Sequence, residues 1–443
     1  MNKNQDNRLG LFTFTMIVVG LVIGMGIFRT AATSAKDAVS PAVYFSAWLF
    51  GGFIALCGAL TYAEIGSRFP VTGGYYQVFA KVYHPSVAFA INCLILVSNA
   101  ASLSGVALIG SRYLLGLFPG EWTDLHVAWL SVGTIILFYL INLRGLKVSG
   151  LVQSVLMMIK IIMILLLISA LIYPDKYAST ASSSVDISFS EWIKSLGLSL
   201  VAVSFTYGGY QQTINFGQEV RNPARNIPKG IFIGIMIIIV LYLLVNFSYF
   251  RVIGFEEMKD ESRIAFVLVE KVFGSEGAYI FSGFLFLGVL AYVNGLLMSN
   301  PRVMFAMGKD GSLPRQFASK NEKEVSPFSL TIFSIICVII LFFSQQFEKI
   351  LTFSIFLDCF GMVLSSSTIF WFRKHKFGES ESVPYKMKWF PFPVLFFIIA
   401  YLFVGITIVM NDPKSALIGI GLLCVFVLFY YLRRVLMIPK RNP

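Results

Sequence analysis

Two glycine pairs interrupt apolar runs of this 443-residue chain, one in residues 22–28 (VIGMGIF) and one in residues 205–210 (FTYGGY). Glycine inside a helix costs about 1 kcal/mol relative to alanine, so a helix break is one explanation. An unwound helix leaves free N–H groups on one half-helix, which suit a carboxylate, and free C=O groups on the other, which suit an ammonium. Two such breaks side by side predict a receptor for a zwitterion. Close helix packing through Gly20-x-x-x-Gly24 is the alternative for the first pair.

Two charged residues also fall inside apolar runs. Lys160 lies nine residues after Leu151, which is about 13 Å along a helix at about 1.5 Å per residue. Asp358 lies eight residues into a later run. If these runs cross a bilayer, ionisable residues at that depth are costly and mark ion or substrate pathways. The alternatives are a lysine that snorkels to the headgroups and a protonated or hydrogen-bonded acid at a helix contact.

The elements that position these residues are predicted to be membrane helices, because 57% of the residues are hydrophobic and only 13% are charged. No stretch is left for a soluble domain, so residues 1–443 form one predicted membrane domain. Twelve runs approach the length of a spanning helix. They cover residues 11–30, 43–65, 87–117, 126–143, 151–172, 196–216, 231–250, 278–298, 328–343, 350–372, 391–410 and 416–432.

The distribution of lysine and arginine predicts the orientation. With twelve spans both termini lie on one side, which carries 23 of the 35 Lys and Arg residues, against 11 on the other side. The positive-inside rule therefore predicts cytoplasmic termini. The same asymmetry accounts for the net charge of +12 and argues against a nucleic-acid partner.

Other residue types exclude several classes of function. The five cysteines lie within apolar runs without a CxxC pair, so neither a disulfide nor a metal site is predicted. The sequence lacks a Walker lysine, HExxH and GxSxG, and no cluster of His, Asp or Glu falls at one membrane face. We therefore predict no cofactor and no enzyme, and a membrane-embedded enzyme is the alternative from a different class.

The positions of the two breaks predict an internal repeat. If the spans repeat in fives, the first and sixth correspond, and the second copy enters the membrane from the opposite face. Interrupted spans at matching positions of inverted repeats indicate the central site of a transporter.

Several motifs in order along roughly 380 residues strengthen this prediction. They are residues 24–28 (GMGIF), 59–66 (ALTYAEIG), 73–76 (GGYY), 205–210 (FTYGGY), 219–228 (EVRNPARNIP), 294–295 (NG), 306–314 (AMGKDGSLP) and 384–386 (PYK). Together they resemble the amino acid/polyamine/organocation superfamily, and residues 205–228 are similar to its L-type amino-acid transporter branch.

The resemblance implies an all-α membrane protein of twelve helices with a LeuT-like five-plus-five inverted repeat and discontinuous first and sixth helices. The repeats would be residues 9–173 and 192–373, with two extra helices at 391–436. It further implies secondary active transport of L-amino acids, expected to be neutral, across the plasma or inner membrane by alternating access. Sodium-independent exchange is the expected mode, and proton-coupled symport is the alternative.

The resemblance also assigns roles to residues. Backbone amides of the first break would hold the substrate carboxylate, and carbonyls of the second would receive its amino group, with the Phe205 ring as a lid. Lys160 would point at the first break and replace a sodium ion. Asp358 departs from the family, whose members often carry a neutral residue there, and its own position in the span predicts that it lines the outward pathway or accepts a proton. Relatives bind a heavy subunit through an extracellular cysteine that the corresponding loop here lacks, so no heavy-chain subunit is expected. The predicted substrate-binding residues are Ile23, Gly24, Met25, Gly26, Ile27, Phe205, Thr206, Tyr207, Gly208 and Gly209.

Overall fold

Fifteen α-helices occupy the described part of the chain. A computed structural model describes residues 8–172, 188–261, 263–319, 321, 326–343, 347–379 and 385–436. The helices are α1 Leu11–Val22, α2 Gly26–Asp37, α3 Pro41–Arg68, α4 Gly74–Val82, α5 Pro85–Leu115, α6 Asp124–Leu143, α7 Leu146–Ser169, α8 Phe189–Tyr207, α9 Pro223–Val252, α10 Phe255–Asp260, α11 Ile264–Lys309, α12 Pro327–Phe343, α13 Phe347–Lys374, α14 Phe392–Asn411 and α15 Pro413–Leu436.

Ten candidate membrane spans are present in the described ranges, counted by length and apolar composition, with α1 and α2 together as one. Two of the twelve predicted spans are not among the ten. Helix α12 has only 17 residues, and α8 carries Glu191 and Lys194 near its start. The predicted eighth span, residues 278–298, is shorter than the helix that contains it, Ile264–Lys309. Helix α11 runs over 46 residues with a kink at Gly274, because the polar residues before 278 continue the helix instead of forming a loop.

The interrupted helices lie at the centre of the bundle. Helix α1 packs against α7 and α9, α2 packs against α8, and α3 packs against both α8 and α9. Helix α5 crosses the other side of the centre and contacts α11, α12 and α13. Helix α15 is peripheral, since only 11% of its most apolar window is buried. The breaks are therefore enclosed by protein on every side, as an irregular backbone at membrane depth requires.

Backbone hydrogen bonds close one end of the bundle, which we call the Leu9 end (Leu9, Thr72, Glu219 and Arg302). The Leu9 amide donates to the Glu219 carbonyl at 2.7 Å, and the Arg221 amide donates to the Leu9 carbonyl at 2.9 Å. The Glu219 carboxylate accepts from Nε of Arg302 through both oxygens, at 3.0 and 3.1 Å. These bonds tie the segment before α1 and the segment before α9 to α11.

A buried ion cluster at the same end joins α3 to α13. Glu64 has no solvent exposure and accepts hydrogen bonds from Arg68 Nε at 2.9 Å, Arg373 Nη2 at 2.7 Å and the Met387 amide at 2.9 Å. Arg68 also pairs with Glu379 at 3.3 Å, and a hydrogen bond from Lys386 holds the pKa of the Glu379 carboxyl below its ordinary value. For Glu64 and Arg68 the sequence leaves open a latch of ion pairs and favours solvated loop charge. The favoured interpretation is wrong and the ion pairs form, because α13 and the following segment cover both residues.

Replacing Glu64 with glutamine should lower the free energy of unfolding by about 3 kcal/mol or more, because two guanidinium groups would lose their buried carboxylate. The measurement is thermal or denaturant unfolding of the purified protein in detergent. The matched control is Asp124→Asn, which removes an exposed pair with Arg112 at 2.9 Å and should cost about 1 kcal/mol or less. Equal losses in the two variants would contradict the structural role of the cluster.

Candidate functional site

A cavity lies between the two helix breaks. One wall comes from the end of α1 and the start of α2, a second from the end of α8 and the residues after it, and the rest from α5, α11, α13 and α14. The lining residues are Val22, Gly24, Met25, Gly26, Asn99, Ser102, Val106, Ser204, Phe205, Thr206, Gly208, Gly209, Gln211, Gln212, Tyr292, Ser354, Ile355, Asp358, Met362 and Tyr401.

Most of the predicted site residues line this cavity. Seven of the ten predicted substrate-binding residues do so, as does Asp358. Ile23, Ile27 and Tyr207 do not, although each is next to a lining residue. Lys160 lies behind the first break and outside the lining.

The first break presents unpaired backbone amides. Helix α1 ends at Val22 and α2 begins at Gly26, where the three intervening residues leave the helical path. The Gly24 amide donates to the Val22 carbonyl at 2.7 Å, so this predicted carboxylate donor is already engaged. The amides of Met25, Gly26 and Ile27 have no hydrogen-bond acceptor within the described ranges. They lie at the N-terminus of α2, where the helix dipole attracts an anion.

The second break presents backbone carbonyls. Helix α8 ends at Tyr207, Gly208 is extended, and Gly209 has a φ of 113° before a short 3-10 helix from Tyr210 to Asn215. The Phe205 carbonyl accepts from the Gly208 amide at 3.3 Å. The Tyr207 carbonyl has no donor in the part of the chain that the structure describes. This end of α8 carries the negative end of the helix dipole, which attracts a cation.

The glycines of the two breaks allow the half-helices to touch. A Cβ atom at Gly26 would lie 2.7 Å from Oγ1 and 3.0 Å from Cα of Thr206. A Cβ atom at Gly209 would lie 2.1 Å from the Leu21 carbonyl oxygen, and its positive φ also favours glycine. The backbone at Gly26 is not left-handed, so glycine is required there because Thr206 comes close and not because of an unusual backbone conformation. The sequence alone does not distinguish these two reasons.

Lys160 reaches the first break from α7. Its side chain is fully buried, and Nζ donates a hydrogen bond to the Ile23 carbonyl. This carbonyl is one of the groups that unwinding leaves without a helical partner. The Lys160 amino group thus occupies the back of the first break, outside the cavity lining.

Three residues that the sequence does not single out hold the site together. The Tyr242 hydroxyl on α9 lies 3.4 Å from the Val22 carbonyl and 3.3 Å from the Thr206 carbonyl, and so bridges the two breaks. Ser102 on α5 and Tyr292 on α11 share a hydrogen bond of 2.6 Å in the cavity wall. Nothing in the local sequence marks these residues, since their partners are far away along the chain.

Replacing Gly26 with alanine should destabilise the protein, because the new methyl group would occupy the space between the two breaks and clash with the Thr206 backbone. We expect a loss of about 1–3 kcal/mol, typical of overpacking, in thermal unfolding. The control is Gly133→Ala, whose Cβ would have no atom within 4 Å and should be neutral or stabilising. Equal unfolding midpoints for Gly26→Ala and the wild type would refute the close-approach argument.

Comparisons with known proteins agree with this architecture. The chain is 29% identical to the "Serine/threonine exchanger SteT" of Bacillus subtilis (strain 168), over 95% of this chain and 97% of the relative. It is 24% identical to the human "Large neutral amino acids transporter small subunit 2", over 96% of this chain and 80% of the relative. It is also 29% identical to the "Methylthioribose transporter" of Bacillus subtilis (strain 168), over 74% and 73%. A family model described as "Amino acid permease" matches residues 9–431, so the chain belongs to the amino acid permease family of membrane transporters, which are not enzymes.

Proposed function

We propose that the protein exchanges neutral L-amino acids across the cell membrane by alternating access, without sodium. The observation that carries this proposal is that the unpaired amides of Met25 and Gly26 line the same cavity as the end of α8, next to the unpaired Tyr207 carbonyl. An α-amino acid has both complementary groups on one carbon atom. Its side chain would then point towards α5, α11 and α13.

The overall architecture belongs to the same proposal. Twelve spans, formed by the ten candidates together with α12 and the broken α8, would place both termini in the cytoplasm. Residues 9–173 and 192–373 would be inverted repeats of the LeuT-like type, followed by two extra helices at 391–436. The equivalent positions of the two breaks, in the first and sixth predicted spans, support this assignment.

Each predicted residue has a role in this proposal. The amides of Met25, Gly26 and Ile27 bind the carboxylate, and the carbonyls near the end of α8 bind the ammonium. Gly208 and Gly209 leave room for the substrate, and the Phe205 ring covers it. Lys160 supplies the positive charge that a sodium ion would otherwise provide, which is supported by its hydrogen bond to the Ile23 carbonyl.

Exchange is favoured over the other modes by the similarity to SteT, which is named a serine/threonine exchanger. Proton-coupled symport is the second candidate, because Asp358 lies in the cavity wall and Lys160 lies against the break, where either side chain would carry a proton. The protein is proposed to work without a heavy-chain subunit.

Uptake of radiolabelled amino acids into proteoliposomes separates these modes. For an exchanger, unlabelled amino acid inside the vesicles should stimulate uptake strongly, and a pH gradient or replacement of sodium by choline should change little. Accumulation driven by a proton gradient into vesicles without internal amino acid would establish symport instead. Absence of uptake for every amino acid would refute the proposed substrate class.

Replacing Lys160 with alanine should reduce uptake at least about tenfold, since a charged hydrogen bond contributes about 1.5–3 kcal/mol. The Ile23 carbonyl would lose the hydrogen bond from Lys160, and the backbone of the first break would lose that support. Lys194→Ala is the control, because that lysine is exposed on α8 and its loss should leave uptake unchanged. Uptake at the wild-type rate in Lys160→Ala would exclude the proposed role.

A further inference from the structure

The cavity wall opposite the breaks contains a carboxylate without a cationic partner. Asp358 on α13 is only partly buried and lines the cavity. Its Oδ1 atom accepts a hydrogen bond from Ser98 Oγ at 3.0 Å. No lysine or arginine in the described ranges forms an ion pair with it, and Lys160 is directed to the Ile23 carbonyl. The Asp358 carboxylate can therefore accept further hydrogen bonds from a group in the cavity.

A second acceptor among the residues that line the cavity also has no donor. Gln212, which follows the second break, is only 4% exposed, and its Oε1 atom has no hydrogen-bond partner. Its amide nitrogen donates to Asn99 Oδ1 at 2.7 Å. A buried amide oxygen without a donor costs about 1–3 kcal/mol, so a group that donates to it from the cavity would stabilise the complex.

Several donors close to Asp358 and Gln212 are already in use. Asn99 donates to Asn300 Oδ1 at 2.6 Å, and Ser98 donates to Asp358 or to the Ser354 carbonyl, at 3.0 or 3.1 Å. The hydroxyls of Ser102 and Tyr292 bond to each other. The Asp358 carboxylate and the Gln212 side-chain oxygen therefore remain as acceptors for a donor on the substrate side chain.

We propose that Asp358 is a specificity-determining residue that selects amino acids whose side chain carries a hydroxyl or amide donor. This inference rests on the proposed function, which places the α-amino and α-carboxyl groups at the breaks and the side chain at this wall. Threonine and asparagine are bound through a hydrogen bond to the Asp358 carboxylate. Valine and leucine, which have nearly the same shapes, leave the carboxylate desolvated and unpaired.

Competition against labelled alanine uptake in proteoliposomes tests the proposal with these matched pairs. In the wild type, threonine should inhibit at least about tenfold more strongly than valine, and asparagine more strongly than leucine, as expected for a hydrogen bond to a charged group. In Asp358→Leu both preferences should disappear, measured as the ratio of the inhibition constants within each pair. Asp124→Leu, at an exposed position, should retain both preferences.

A second variant covers a failure of Asp358→Leu to fold. Asp358→Asn keeps the shape and one acceptor but loses the charge, so the threonine preference should fall at least about threefold. Equal inhibition by threonine and valine in the wild type, or an unchanged preference in Asp358→Asn, would overturn the inference and leave the proposed function standing. Stronger inhibition by lysine than by threonine would overturn it too, since charge pairing would then decide specificity. No uptake of any amino acid would overturn both.

Discussion

Backbone polar groups that leave a helix inside a membrane must find partners, and this constraint organises the whole molecule. Both central helices break, and each break is met by a different kind of partner. Lys160 donates to one carbonyl of the first break, the Tyr242 hydroxyl lies between one carbonyl of each break, and Met25 and Gly26 line the cavity. The surrounding helices are packed so that protein, and not lipid, contacts these segments.

The positions of the breaks could be predicted from the sequence, because glycine pairs and polar residues are conspicuous in an apolar run. The depth of Lys160 in a helix marked it as a functional candidate, and the family resemblance implied its contact with the first break. The reason for Gly26 could not be predicted, since its requirement comes from Thr206, 180 residues away in the chain. Sequence patterns report periodicity and composition, and they do not report which helices touch.

The same limit explains the errors at the Leu9 end. Glu64 and Arg68 end a helix and have the composition of a solvated loop, yet both are buried because Arg373 and the Met387 amide come from a distant segment. The bounds of α11 were also missed, since its charged residues interrupt the apolar run without ending the helix. In both places tertiary contacts override the local signal.

The Tyr242 hydroxyl has a single proton and lies close to two carbonyls, one from each interrupted helix. If α1 and α8 slid apart, one of these oxygens would lose its donor in a medium that supplies no other. A motion that kept α1, α8 and α9 together would preserve both contacts. A single phenol would then couple the two half-sites, so that the groups proposed to hold the two ends of a zwitterion would move as a unit.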